Sequence, residues 1–524
     1  MRENDGRGSP HSTAQAPSQG AETDAAKDLP MPLEPPDRDP QYVAHVLAPR
    51  YAFARHEELP YLLDILVAHV LMLRRQRILP EDDAAATLRA LVAITTDSLP
   101  PYDPKWEDLY FVIETRVADA SGGRGEFRLA LSRNDAWAAL ARLALRDQTL
   151  EILAAIDGIR EAVLDQAERH RDTLIMAHTH HQHAQPTTAA HYLLAVAATL
   201  GRCADRYRDA LVRLNRSPLG AGALTTTGFP IDRAYTAELL GFSGLVENSY
   251  DAVAAADHVG ELAGSHGVLV TSLSRLVHDL LLWASNEVDG VRLAPEFIQI
   301  SSIMPQKRNP VALEHVRSDL SRVLGACAGV WASAHNVPFG DVNDPVDDLL
   351  PVLTHTHRSL AGTLDLLRRL IATAAIRPAA WEPVLRGTFA TSTELADTLV
   401  REGGLRFPEA HAAVTRLVAQ RRDRGRDFAG VTPDEVAAAV AAASGRQVRL
   451  PAEAIARALD PAGFVARREA AGGPGPHAVD AMLRAARTEL TTSRSATDAV
   501  REAGARARAR REREVSEATM HVTR

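Results

Sequence analysis

Lysine is almost missing from this chain. Of its 59 basic residues only Lys27, Lys105 and Lys307 are lysine, leaving 56 arginines. Cysteine is scarcer still: Cys203 and Cys327 are the only two, both in helical-looking sequence, which excludes a disulfide framework and suits reduced thiols in a cytoplasm. No apolar run approaches the roughly 18 residues that span a bilayer, so no membrane is expected. The opening MRENDGRGSPHS lacks the apolar core of a signal peptide. The formal charge of -8 is small for 524 residues and the main body carries no strong basic patch, so no nucleic acid is expected either. Strand-like alternation is sparse, and no internal repeat is present.

Helical periodicity fills what remains. Residues 1–40 are rich in Gly, Pro, Ser, Asp and Ala, and read as a disordered tail. Residues 41–135 read as a mostly helical N-terminal domain, with Leu62, Ile65, Leu66, Val70 and Leu73 on one helical stripe. From 136 to 378 the apolar stripes lengthen over 136–176, 187–214, 251–288, 310–336 and 345–376, which predicts an all-α fold built on a bundle of long antiparallel helices. Residues 379–490, broken at Gly403-Gly404, Pro408, Pro433 and Gly472-Gly473, read as a small helical C-terminal domain. Residues 491–524 form a charged, helix-like tail whose acids are interleaved with arginines, as on a solvated helix.

Four polar breaks interrupt the helices. Ser132-Arg133-Asn134-Asp135 offers a guanidinium fork for a carboxylate with a carboxamide beside it, although Asn134 or Asp135 could equally cap a helix. His178-Thr179-His180-His181-Gln182-His183-Ala184-Gln185-Pro186 crowds four histidines into six residues. It has neither cysteine nor carboxylate nor the spacing of a helical metal motif, so acid–base or substrate work competes with a structural turn and no metal is assigned. Ser217 to Thr227 contains GxG without a preceding strand or a third glycine, and reads as a flexible, hydroxyl-rich connection. Ser301-Ser302-Ile303-Met304-Pro305-Gln306-Lys307-Arg308-Asn309-Pro310 packs hydroxyls, an ammonium and a carboxamide between prolines. A helix starting at Pro310 would point its amides back at Lys307 and make an anion site.

In this order the motifs resemble one family. Ser301 to Pro310 is similar to the SSxMPxKxNP signature of the fumarase/aspartase superfamily. The other breaks resemble the SRND, THxQxAQP and PLGxGAL segments of argininosuccinate lyases, as do Phe229 to Arg233, Asn248 to Val253 and Ala458 to Pro461. Over residues 45–490 the resemblance implies a cytoplasmic homotetramer of arginine biosynthesis, with active sites assembled from three subunits and no cofactor. The implied reaction is anti β-elimination across a carbon–nitrogen bond of an N-substituted aspartate, releasing fumarate. It further implies Ser301 as the base on a closing loop, Lys307 and Asn309 on the carboxylate, and Thr179 on the fumarate portion. His180 would be general acid or relay, with Ser132, Arg133, Asn134, Gln185 and Ser302 on substrate. The physics is compatible: an alkoxide base and a charge-rich intermediate both require preorganised positive charge in a closed, dry site.

The departures gather on the amine side. The first arginine of the family's HTGRSRND is Leu131, the glycine before the double serine is Ile300, and the tyrosine before THxQ is His178. Where the family carries a TYNxDLQEDK-like run, this chain reads Pro338-Phe339-Gly340-Asp341-Val342-Asn343-Asp344-Pro345-Val346-Asp347-Asp348. Aspartates there, with Asp341 and Asp344 as candidate substrate contacts, disfavour a carboxylate-bearing amine and favour a cationic one, as in the ethylenediamine-disuccinate lyases that the chain also resembles. Asp344-Pro345 could alternatively open a helix. A catalytically silent, structural member of the superfamily is the alternative from another class.

Overall fold

The computed structural model describes residues 37–343 and 348–520. Most of the expected tail at 1–40 and the candidate contact Asp344 lie outside the described residues.

Five helices carry the molecule: α1 (Arg133–Arg169), α2 (Ala189–Leu214), α3 (Asp257–Trp283), α4 (Val311–Ala334) and α5 (Leu349–Thr373). Their starts follow from local chemistry. Ser132 caps α1 by accepting from the Asn134 amide at 3.2 Å, while Asp135 reaches back to the Ser132 amide at 3.0 Å, a reciprocal capping box. Thr188 caps α2 through the His191 amide at 3.1 Å, and Pro310, which cannot continue a strand, precedes α4.

Contacts at the helix ends fix the directions. Arg142 of α1 donates to the carbonyls of Arg213 and Leu214, at 3.2 and 3.3 Å, where α2 finishes. The Trp331 indole near the end of α4 donates to Gly260 near the start of α3, at 2.9 Å. Gln166 near the end of α1 donates to the Ile371 carbonyl near the end of α5, at 2.7 Å. Therefore α1, α3 and α5 run one way and α2 and α4 the other. One end, here the first end, gathers the start of α1 with residues 215–256 and 335–343. The second end gathers residues 170–188 and 284–310. At about 1.5 Å per residue, the 24 residues of α4 hold the two ends roughly 36 Å apart.

The bundle core is leucine-rich but not wholly apolar. Tyr207, His266 and His357 meet inside it, with His266 Nδ1 2.5 Å from the tyrosine oxygen and its Nε2 3.5 Å from His357 Nδ1. Burial drives both imidazoles well below their ordinary pKa, so they are neutral.

Among the described residues, short strands appear only between helices. β1 (Leu174–Thr179) and β2 (Gln182–Thr188) form an antiparallel hairpin. β3 (Val291–Arg292) pairs β6 (Ala375–Ile376), and β4 (Gln299–Ile300) pairs β5 (Arg308–Asn309). Residues 174–188 thus carry strand where none was expected from sequence.

Beyond the bundle, helices Ser392–Arg401, Phe407–Asp423, Pro433–Ser444 and Ala452–Leu459 enclose a separate core of Leu399, Leu417, Phe428, Val440 and Ile455. The boundary expected at 490 falls within one helix. A single helix, α6, runs from Pro476 to Met520 and lies back along α1. Arg487 pairs with Asp165 and Glu168, Arg494 with Glu161, and the Ser493 hydroxyl donates to Asp157 at 2.8 Å. Farther on, Arg501 donates to the Leu150 carbonyl and Arg511 to that of Leu239. Of the residues read as a solvated tail, 521–524 lie outside the described residues, and 491–520 are thus a packed strut. Its arginines face carboxylates and carbonyls supplied by helices distant in sequence, which local charge pattern does not reveal.

Candidate functional site

At the first end, the capping box of α1 is tied to the third polar break. Asp135, wholly buried, accepts through one oxygen from Ser132 and through the other from the amides of Gly220 at 2.8 Å and Gly222 at 3.0 Å. Burial lifts its carboxyl to about 6 against the pull of those amides. The stretch expected to be flexible is instead fixed: Ser217, Leu219 and Ala221 are buried. Gly220 and Gly222 have φ of 86° and 61°, and a Cβ on Gly222 would stand 2.8 Å from the Thr226 carbonyl oxygen. A buried acceptor more than eighty residues away in sequence is what orders this segment, so it was invisible locally.

Ser132 spends its hydroxyl on the cap. Arg133 points into a cavity of about 580 Å³ shared with Asn134, Gly340, Asp341 and Asp348. Its guanidinium lies 2.7 Å from Asp108 Oδ2 and 3.1 Å from Glu107 Oε1, with the Phe111 ring 5.1 Å away. Burial raises the Asp108 carboxyl, and Arg133 opposes the shift. Asn134 Nδ2 reaches the Ala223 carbonyl at 3.5 Å. Beside the cavity Phe339 stacks on Tyr250, with ring centroids 6.0 Å apart. Sequence reading missed Asp108, which also caps the helix Leu109–Ser121; a cap aspartate ahead of an apolar run was the signal for it.

At the second end, Thr179 and Gln182 are paired across the hairpin and His180-His181 make its two-residue turn, with φ of 52° and 57°. Histidine is among the few residues that tolerate this region. The side chains of Thr179 and His180 are exposed at the tip. His178 packs edge-on to His183, centroids 5.2 Å apart, and burial reinforced by that neighbour lowers its pKa. Gln185 reaches Thr393 of the C-terminal domain at 3.1 Å, bracing the hairpin. Among the described residues no group of three or more His, Cys, Asp or Glu is placed to hold a metal ion.

Ser301 to Lys307 form the connection between β4 and β5, also at the second end. The Ser301 oxygen accepts from the amides of Met304 at 3.1 Å and Ile303 at 3.4 Å, donors that would favour negative charge on that oxygen. Ser302 and Lys307 are exposed, and Asn309 is half-buried in register with Gln299. Ile300 and Ile303 are each 83% exposed, leaving the loop's apolar side uncovered in one chain. The helix expected after Pro310 begins at Val311.

The candidate residues therefore form two groups. Ser132, Arg133, Asn134 and Asp341 belong to the first end, and Thr179, His180, Gln185, Ser301, Ser302, Lys307 and Asn309 to the second. One chain does not bring them together.

Residues 119–325 match a lyase family, and residues 389–466 match the argininosuccinate lyase C-terminal family. "Argininosuccinate lyase 2" of Agrobacterium fabrum is 37% identical over 86% of this chain and 91% of its own length. The argininosuccinate lyase of Methanocaldococcus jannaschii is 35% identical over 82% and 88%. Among solved structures, EDDS lyase in complex with formate superposes with a TM-score of 0.81 at 32% identity, covering 92% of this chain and 96% of that one. A class II fumarase from Schistosoma mansoni, with a TM-score of 0.63 at 15% identity, shares the fold.

Proposed function

The chain belongs to the argininosuccinate lyase family of the fumarase/aspartase superfamily, and from that membership we propose how its residues cleave an N-substituted aspartate. It is a carbon–nitrogen lyase releasing fumarate. In the proposed mechanism Ser301, as alkoxide, removes the Cβ proton. The amides of Ile303 and Met304 already converge on its oxygen, and this observation carries the assignment. Lys307 and Asn309 hold the carboxylate on which charge accumulates, with Thr179 alongside. His180 delivers the proton with which the nitrogen leaves, directly or by relay. Arg133 and Asn134 hold substrate from the first end.

Two groups roughly 36 Å apart can act together only if chains combine. We propose a homotetramer in which antiparallel copies set the first end of one chain against the second end of others, so that three subunits build each site. Leu324 and Trp331, seven residues apart on α4, are 45% and 47% exposed. They lie over Gly267, Gly260 and Gly264 of α3, an apolar face suited to a second copy. We propose a cytoplasmic enzyme, a reading supported by the free, buried Cys203 and Cys327, which suit a reducing compartment.

Argininosuccinate, with a role in arginine biosynthesis, is the first substrate reading. The second, a diamine or aminopolycarboxylate adduct, is favoured by one observation: Asp341 and Asp348 line the cavity beside Arg133. Fumarate release, followed by ultraviolet absorbance, is to be compared for argininosuccinate and N-(aminoalkyl)aspartates. No fumarate from any of them overturns the lyase reading, and preference for argininosuccinate overturns the second.

A further inference from the structure

Asn248 to Val253, at the first end, has no part in the proposed mechanism. It folds as a short helix, Ser249–Ala254. The Asn248 side chain caps it, accepting from the amides of Tyr250 at 2.9 Å and Asp251 at 3.3 Å, donors that a helix start leaves without partners of their own. Ala252 and Val253 are buried with Ala221 and Val246, and Ala221 lies between the two glycines that Asp135 holds. The short helix is thereby tied to the start of α1. Tyr250 and Val253, three residues apart, share one of its faces. Val253 lines the cavity that holds Arg133 and Asn134, whereas Tyr250 turns to the segment after α4.

That segment has little else to hold it. Pro338 has no amide hydrogen, and among the described residues the one hydrogen bond made by residues 338–340 comes from the Tyr250 hydroxyl to the Phe339 carbonyl, at 3.1 Å. The two rings stack, inclined by 12° with centroids 6.0 Å apart. The tyrosine oxygen also lies 3.7 Å from the place that a Cβ on Gly340 would take. Phe339 is 68% exposed and Tyr250 42%, so the ring pair is a clasp on the surface and belongs to no core. Directly after it Gly340, Asp341, Val342 and Asn343 enter the wall of the cavity beside Arg133.

We infer that Tyr250 is a positioning residue for the amine half of the substrate: by clasping Phe339 it holds Gly340 to Asn343 in register with Arg133 and Asn134. The inference rests on the carbon–nitrogen lyase reading above, which assigns the fumarate half to Ser301, Lys307 and Asn309 of another chain and leaves the first-end cavity to the amine half. A wall fixed before substrate arrives spares binding the cost of ordering it. When only a fraction of the molecules has the wall in place, the apparent affinity falls by that fraction.

Fumarate release is followed for wild type, Tyr250→Phe and Tyr250→Ala with argininosuccinate and N-(2-aminoethyl)aspartate, and fumarate is added as product inhibitor. Tyr250→Phe loses the hydrogen bond and keeps the ring, so the KM for the N-substituted aspartate is expected to rise about fivefold. Tyr250→Ala loses both, for a rise of about twentyfold. The inhibition constant of fumarate should keep its wild-type value in both variants. Hydrogen exchange of the peptide spanning residues 336–343 should quicken in Tyr250→Ala, with the bundle helices unchanged. Tyr250 is exposed, so folding is not at stake, and circular dichroism checks it. Unchanged exchange of that peptide overturns the clasp. Faster exchange with an unaltered KM, or a fumarate constant that weakens in step with KM, overturns the role towards the amine half and leaves the lyase reading standing. A wild type that releases no fumarate from either substrate overturns the lyase reading and this role with it, whatever the exchange shows.

Discussion

Acid should destabilise this protein steeply, through histidines that take no part in catalysis. His69 and His258 are buried, and burial lowers each from 6.5 to about 4. His69 is held by the Leu129 carbonyl at 2.9 Å, and His258 lies 3.9 Å from Asp257. An imidazole that protonates less readily folded than unfolded contributes stability above pH 6.5, and loses it as pH falls towards 4, because the unfolded chain binds the proton first. At 1.36 kcal/mol per pH unit, each is worth about 3 kcal/mol over that interval. Asp135 acts oppositely. Its pKa, raised from 3.8 to about 6, makes the folded state the better proton binder, so about 3 kcal/mol returns as pH falls from 6 to 4. The net loss from these three groups is about 3–4 kcal/mol, and His266 and His357 add to it in the same direction. Urea denaturation at intervals from pH 8 to 4.5 measures the slope. His69→Gln, which keeps a donor for the Leu129 carbonyl but cannot titrate, should flatten it by about one proton, or 1.36 kcal/mol per pH unit. A stability flat between pH 7 and 5, or a slope unchanged in His69→Gln, refutes the reasoning.

Ser301→Ala should abolish fumarate release while leaving the proposed tetramer intact by size-exclusion chromatography; undiminished fumarate would remove the base assignment. Asp157→Ala should cost about 3–5 kcal/mol in the same denaturation assay. It strips the buried guanidinium of Arg160, at 3.1 Å, and the Ser493 hydroxyl of their shared partner, and a cost below about 1 kcal/mol would show that Glu489 alone suffices for Arg160.

The long helices were legible because a 3.6-residue apolar period reports burial directly. The expected stretches 187–214 and 310–336 became Ala189–Leu214 and Val311–Ala334. What escaped was organised by partners remote in sequence. Thr179 to Pro186 carries too much histidine, glutamine and proline to read as a strand, yet the facing residues of β1 supply its register. Gly220 and Gly222 looked flexible because their anchor, Asp135, sits at the start of another helix. For the site, the motifs identified the candidate side chains but not their separation. That Arg133 and Ser301 lie at opposite ends is a property of helix direction, which Arg142, Gln166 and Trp331 reveal only through their carbonyl partners.

The strut α6 has a consequence for how the molecule is made. Its distal part binds elements synthesised near the beginning: Arg511 pairs with Asp64, and Arg89 donates to the Thr519 carbonyl across 430 positions. During synthesis, at about 5–20 residues per second, these contacts with Asp64 and Arg89 cannot form until the distal part of α6 has left the ribosome. Closure of such long-range contacts is the slow, entropically expensive step in folding. The distal part of α6 thus acts as a latch, so that removing residues 495–520 would keep every candidate catalytic group and lose the contacts that fasten this helix to Asp64 and Arg89.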